Sequence, residues 1–567
     1  MPNECVKLYD SLFRHSTANS MVKSWAMAHK ASCLYYRGED SKADYLFSRV
    51  FELSDDKADR AFMGFEGKNM RKSLSYCKNN RERANLYILK SLKNPGRALK
   101  DIKNIYYIDP YSNKLEVLIG REINKLEDWV LTKKYSGFSP ASNSYIFEKM
   151  NYKSDLAYLS KVRSFVEEVA QSEKVNNPSY WYLAAAHLCL ISDSLDAGKK
   201  YLKLADQAKG KTKRIEMQLK YSSVLLFVNH EGGITASMEN DLHEDLSYLQ
   251  RNRKYMKNFD RQFSNLMLAI SDTYKNQKSV WKAGLFKSKV VSAYMQDDNK
   301  YDYSNYFYYL DDHASVEDMD TMIALLRKKD KTPYEKFLYE KVGQDKLRLL
   351  DLYGTKYLRK NMLHKAYSIF EQVPDIFYDT TQYSYKLYLD ANPFYVNLED
   401  GHGRSYADTV CYNKREMVRE MLSFIQKAEH DEKNKAYHFY LLGNAYYNMT
   451  HHGNSWMMYK YWWSGEEMGS DFSYNNQVYY GSERAKKYYL LAFEAAKEEK
   501  FKVLCLRMAG ICQENKNYLS NSIWEKKKVR NNYYRLMEEK YPDFYRQMVL
   551  ECAPVEEFLP IKLKRIL

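Results

Sequence analysis

Apolar residues recur at three- and four-residue intervals along most of the chain, the period of an amphipathic helix and not of a strand. Residues 21–36 and 42–53 read as a helical hairpin turned by Arg37-Gly38-Glu39. Residues 58–78 and 81–93 continue the pattern, and Asn94-Pro95-Gly96 marks a turn. Between residues 115 and 132, Leu115, Leu118, Ile119, Ile123, Leu126 and Val130 fall on one side of a helix. A second helical run covers residues 154–359, broken at 229–241 by NHEGGITASMEND. It includes a pair at 263–274 and 280–294, and a stretch rich in Asp, Asn and Tyr at 297–309 that reads as a long connection. Helices resume at Asn413, where Met417, Met421, Phe424 and Ile425 share a face, and run to about residue 550.

The hairpins repeat one spacing. Leu350, Tyr353, Gly354 and Tyr357 are followed by Ala366, Phe370 and Val373, with Pro374 closing the second helix. Trp181, Ala184, Ala185, Leu188, Ala197, Tyr201 and Leu204 match it, as do Met27, Ala31, Leu34, Gly38, Ala43, Phe47 and Val50, with Lys30 at the leucine-like position. A second helix from Ala98 through Ile102 and Ile105 to Pro110 fits as well. Phe439, Leu442, Gly443 and Tyr446 open a further repeat that Ala485, Tyr489 and Ala492 close; its turn has grown by 30 residues, since Tyr446 and Ala485 lie 39 positions apart against 9 elsewhere. Small residues are needed where two helix axes approach, and large ones fill the gaps beside them. A lone hairpin cannot bury both apolar faces, so hairpins of this kind stack.

This spacing resembles the tetratricopeptide repeat superfamily. The tracts LLGNAYYNMTHHGNSW, CKNNRERANLYIL at Cys77 and GREINKLE at Gly120 are also similar to a group of uncharacterised tetratricopeptide-like proteins of Bacteroidota, a resemblance covering most of the chain. It implies an all-α, right-handed α-solenoid of stacked antiparallel helix pairs, and it carries over no activity and no functional residues. The expected organisation is N-terminal repeats at 1–132, a linker at 133–153 and central repeats at 154–373. An irregular aromatic-rich connection at 374–412 follows, then C-terminal repeats at 413–550 with an insert at 451–481, and a tail at 551–567.

At 567 residues the chain exceeds one ordinary core, which a stack of repeats accommodates by growing in one direction. Gly at 21 and Pro at 11 are few enough for long helices with short loops. The net charge of +15 is spread along the chain, and its short basic runs, 327–331 and 526–530, sit in no nucleic-acid motif, so a nucleic-acid partner is not expected. No segment reaches the run of about 18 apolar residues that a membrane span needs. The first residues lack an apolar signal core, which places the chain in the cytoplasm as it stands, and in the periplasm or outer membrane if an export signal precedes Met1. The eight cysteines are scattered without a CxxC, and free thiols are expected.

Candidate chemistry is sparse. His451 and His452 are adjacent, so on a helix they point about 100° apart, and neither has a metal-ligand partner at the usual spacing. No HExxH, P-loop or GxSxG is present, and no catalytic residue, metal or cofactor is expected. The aromatic insert carries the binding expectation: Asn444, Tyr447, Trp456, Tyr459, Trp462, Trp463, Tyr479 and Tyr480 are the candidate partner-binding residues. Trp456, Tyr459 and Trp463 share a helical face, and such rings either pack as core or grip a ligand. Of the positions that clamp a peptide's terminal carboxylate in some tetratricopeptide modules, only Asn444 fits, so that clamp is not expected. The function expected is a non-catalytic scaffold for a protein or peptide. The alternative is a carbohydrate-binding helical protein of the cell envelope.

Overall fold

The computed structural model describes residues 2–13, 20–132, 152–172, 174–291, 306–380, 392–396, 412–461, 476–520 and 531–564. Among them every regular element is helical. The chain divides into two compact units, Met1–Gln262 and Phe263–Leu567.

Unit 1 holds α1 (Pro2–Phe13), α2 (Met21–Tyr36), α3 (Asp40–Leu53), α4 (Ala58–Gly64), α5 (Met70–Leu74), α6 (Asn80–Lys93), α7 (Leu99–Ile108) and α8 (Lys114–Leu126). It continues with α9 (Tyr152–Ser172), α10 (Pro178–Ile191), α11 (Leu195–Gln207), α12 (Lys213–Val228) and α13 (Glu239–Arg251). Successive helices pack in pairs: α2 on α3, α6 on α7, α10 on α11, α12 on α13. Ser20, Asn79, Asn177 and Thr212 cap α2, α6, α10 and α12 by accepting a backbone N–H of the first turn. One hydrophobic core draws on Ala84, Ile119 and Trp129 and also on Val162, Phe165 and Trp181. The expected linker at 133–153 lies outside the described residues except for its last two, which open α9.

Unit 2 opens within α14 (Phe259–Asn276) and continues with α15 (Val280–Lys287), α16 (Tyr306–His313), α17 (Val316–Arg327), α18 (Pro333–Tyr339), α19 (Lys346–Arg359), α20 (Leu363–Phe370) and α21 (Asp375–Thr380). Then come α22 (Lys414–His430), α23 (Lys435–Asn448), α24 (Asn476–Tyr479), α25 (Glu483–Ala495), α26 (Glu499–Ser520), α27 (Asn532–Lys540), α28 (Pro542–Tyr545) and α29 (Ile561–Lys564). Here α19 packs on α20, α22 on α23, α23 on α25 and α25 on α26. The two halves of the interrupted repeat therefore meet across the insert. Several stretches differ from expectation: residues 65–69 interrupt the helix expected at 58–78, α15 ends at Lys287 short of the helix expected at 280–294, and two further stretches are helical where none was expected. Residues 306–309 open α16 because Tyr306, Phe307 and Leu310 turn to one buried face, and residues 375–380 form α21 just after Pro374.

The repeat positions explain the close crossings. A Cβ added at Gly443 would stand 2.6 Å from the ring of Tyr489, and one at Gly354 would run into the ring of Phe370. Ala43, Phe47, Ala98, Trp181, Ala185, Tyr201, Tyr357, Ala366, Phe370, Ala485 and Tyr489 are all buried. Ala197 is half-buried against the unit 1 core, while its neighbour Gly198 is buried, where an added Cβ would meet Ala186 and Cys189 at an ordinary 3.6 Å. Lys30 keeps its leucine-like place by burying its stem and ion-pairing with Asp10 of α1. No described helix is long and apolar enough to cross a membrane.

Candidate functional site

Helix α19 presents Asp351, Thr355 and Arg359 at intervals of four, one above another on a single face. Facing them is the first turn of α22, fixed by a capping box in which Asn413 and Glu416 satisfy each other's backbone N–H groups. This cap delivers Lys414 into the interior, where both it and Asp351 have 0% of their side chains exposed. Lys414 Nζ donates to Asp351 Oδ2 at 2.8 Å and to Thr355 Oγ1 at 2.8 Å. Tyr461 and Tyr378 each donate a hydroxyl to the same carboxylate, at 2.7 and 3.2 Å. Burial holds the Lys414 ammonium below its usual range, and the neighbouring Asp351 carboxylate opposes that shift.

A second set of contacts fastens the insert to the same helix. Arg359 donates to Asp311 Oδ1 at 2.6 Å and to the backbone carbonyl of Tyr459 at 2.6 Å. From α25, Arg484 donates to the Tyr459 hydroxyl and to the Arg359 carbonyl, each at 2.7 Å. Burial pushes Asp312 up to about 6, with Asp311 adding to the effect, and pushes Lys356 down to about 8. His452 and the His451 amide close the insert on the backbone carbonyls of Tyr480 (2.9 Å) and Tyr479 (3.2 Å). Gly453 permits the turn, since a Cβ there would collide with the backbone of Asn448.

The third feature is a row of asparagines. Asn444 and Asn448 lie four residues apart on α23, and Asn454 follows in the turn. Their side-chain amides donate to main-chain carbonyls of the short segment 392–396. Asn444 reaches Phe394 at 2.6 Å, Asn448 reaches Pro393 at 3.0 Å and Tyr395 at 2.6 Å, and Asn454 reaches Asn392 at 3.3 Å. The Tyr489 hydroxyl donates to Asn444 Oδ1 at 2.8 Å, which fixes the amide's orientation. Phe394 is buried edge-on against Tyr412 and Phe424, with ring centroids 5.2 and 5.1 Å away. Tyr395 donates its hydroxyl to Glu556 in the C-terminal tail. The row contacts peptide carbonyls, so side-chain selection falls to the seat of Phe394 and to contacts outside the row such as that of Tyr395 with Glu556.

Of the sequence candidates, Asn444 belongs to this row, and Tyr447, Trp456, Tyr459, Tyr479 and Tyr480 are buried around it and the insert. Trp462 and Trp463 lie outside the described residues. Sequence reasoning missed Lys414, Arg359, Asn448 and Asn454; the pairing of Asn444 with Asn448 at a four-residue interval was the available signal. Among the described residues no group of three or more His, Cys, Asp or Glu is placed to hold a metal ion. No protein-family model, no curated protein and no solved structure matches the chain.

Proposed function

We propose that this chain is a non-catalytic scaffold whose α23 face holds an extended polypeptide segment by its main chain. The observation that carries this is the asparagine row: three side-chain amides directed at successive backbone carbonyls, beside an aromatic seat for one ring. Segment 392–396 occupies the row within the chain itself. A partner segment of the same chemistry, extended and with an aromatic residue after a proline, takes its place. The glycine-on-aromatic crossings at Gly443 and Gly354 support assigning the helix pairs to the tetratricopeptide kind. Sugar stacking needs open ring faces, and Trp456, Tyr459, Tyr479 and Tyr480 are buried, so a polypeptide is the better-supported ligand.

The test vacates the row. Residues 392–396 are deleted, which removes the carbonyls the three amides hold, and a fluorescein-labelled peptide with the core Asn-Pro-Phe-Tyr-Val is titrated by anisotropy. The vacated chain is expected to bind it. Adding Asn444→Ala and Asn448→Ala should weaken binding by about tenfold or more, as lost hydrogen bonds to buried carbonyls dictate. A vacated chain that keeps its helical signal and cooperative melt but leaves the anisotropy flat would overturn the proposal.

A further inference from the structure

Helix α1 rests on α2 with little holding it. Val6 is its one buried residue among those described, and Leu8 and Leu12 remain 60% and 63% exposed. The other ties are the Asp10–Lys30 ion pair and the Lys30 ammonium over the Tyr9 ring at 4.6 Å. Cys5 on α1 and Cys33 on α2 are near enough for the Cys5 thiol to act on that of Cys33. Both are free and half-exposed, and both line one open, largely apolar pocket of about 780 Å³ that Pro2, Leu8 and Tyr36 also border.

The other described cysteines lack this combination. Cys189, Cys505 and Cys512 are buried. Cys77 points to the Ser73 carbonyl at 4.0 Å within its own segment, and the exposed Cys552 sits beside the Val549 carbonyl at 3.8 Å. Thiol–disulfide exchange needs an accessible first sulfur and a second within reach, and the Cys5–Cys33 pair supplies both.

We propose that Cys5 and Cys33 are a redox modification site whose substrate is a low-molecular-weight disulfide, and that the bond formed latches α1 to α2. The Cys5 thiolate attacks one sulfur of glutathione disulfide; that S–S bond breaks, a mixed disulfide forms on Cys5, and one glutathione thiolate leaves. The Cys33 thiolate then attacks the Cys5 sulfur, the second glutathione thiolate leaves, and the Cys5–Cys33 bond closes. Two electrons pass from the protein sulfurs to the glutathione sulfurs, and the two thiol protons go to the departing thiolates. Burial and the adjacent Cys5 sulfur hold the Cys33 thiol above its usual range, which suits Cys5 to the first attack. Excess reduced glutathione reverses both steps.

The full chain is incubated with oxidised glutathione, the remaining thiols are alkylated, and tryptic peptides are weighed without reduction. The expected product joins the peptide of residues 1–7 to that of residues 31–37, is lost in Cys5→Ser and in Cys33→Ser, and disappears on reduction. Glutathione on Cys552 shows that the oxidant has acted. Two separate mixed disulfides on Cys5 and Cys33, or neither sulfur modified while Cys552 is, would overturn the assignment. In the oxidised chain the backbone amides of residues 2–13 should exchange with deuterium about tenfold more slowly, as a closed cross-link suppresses local opening. Equal exchange in both redox states would remove the latch.

Discussion

The Lys414–Asp351 pair shows what a single residue can demand of its surroundings. Two opposite charges fully withdrawn from water are held by two tyrosine hydroxyls and a threonine. Lys414→Met leaves the Asp351 carboxylate buried and uncompensated, so it should cost about 3–5 kcal/mol in urea unfolding. The double variant Asp351→Leu with Lys414→Met should lie closer to the parent than either single change, because no orphaned charge remains. A double variant worse than both singles would contradict this. Near the pair, Asp312 and Lys356 set a pH dependence. Asp312 ionises near pH 6 in the folded chain, above its ordinary value, so its contribution to stability falls as pH rises from about 4 to about 6. Lys356 loses its proton near pH 8, below its ordinary value, so its cost is present below that pH and is relieved as pH climbs toward about 10.5. Thermal melts across pH should show Asp312→Asn flattening the acid limb while leaving the alkaline rise in place.

At the scale of elements, the pairs α19–α20 and α23–α25 each close on a glycine meeting an aromatic ring. Gly443→Ala forces its new methyl against Tyr489 and should destabilise unit 2 by about 1–3 kcal/mol, with Tyr489→Leu in the same chain recovering part of that. A neutral Gly443→Ala by chemical denaturation would mean that the crossing is looser than described. Much of this was legible beforehand. The spacing from Leu350 to Val373 and from Phe439 to Ala492 marks the pairs, because a fixed crossing distance imposes a fixed residue interval. The register was harder where two small residues adjoin: Ala197 and Gly198 look alike in sequence, and only packing against Ala186 puts Gly198 at the contact. The crossing of Gly510 with Tyr534 escaped notice, since the interval between them is unlike that of the other pairs. The candidate site was legible only in part. Asn444 stood out through the repeat, but its partner Phe394 lies 50 residues away in a segment with no period, and no local pattern records such a meeting. The same holds for Lys414, 63 residues from Asp351.

For the whole molecule, the division into two units has an experimental consequence. Unit 1 contains its own hydrophobic core, from Ala84 and Ile119 to Phe165 and Trp181. Residues 1–257, ending just before α14, should therefore give a helical circular-dichroism spectrum and a cooperative melt when expressed alone. A fragment that melts without cooperativity would mean that its core is completed by residues beyond 257. The charge of +15 belongs to this scale too. If it steers an acidic partner, association slows steeply between low and physiological salt, whereas main-chain capture by the asparagine row is nearly indifferent to salt.

That row has a practical corollary. Because Asn444, Asn448 and Asn454 touch carbonyls, which every amino acid carries, the side chains of Asn392 and Val396 are not what the three amides grasp. With Asn392, Phe394 and Val396 buried and Tyr395 half-exposed, a fluorescent amino acid placed at position 395 can report whether the stretch is seated, leaving the main-chain grip of the three amides in place.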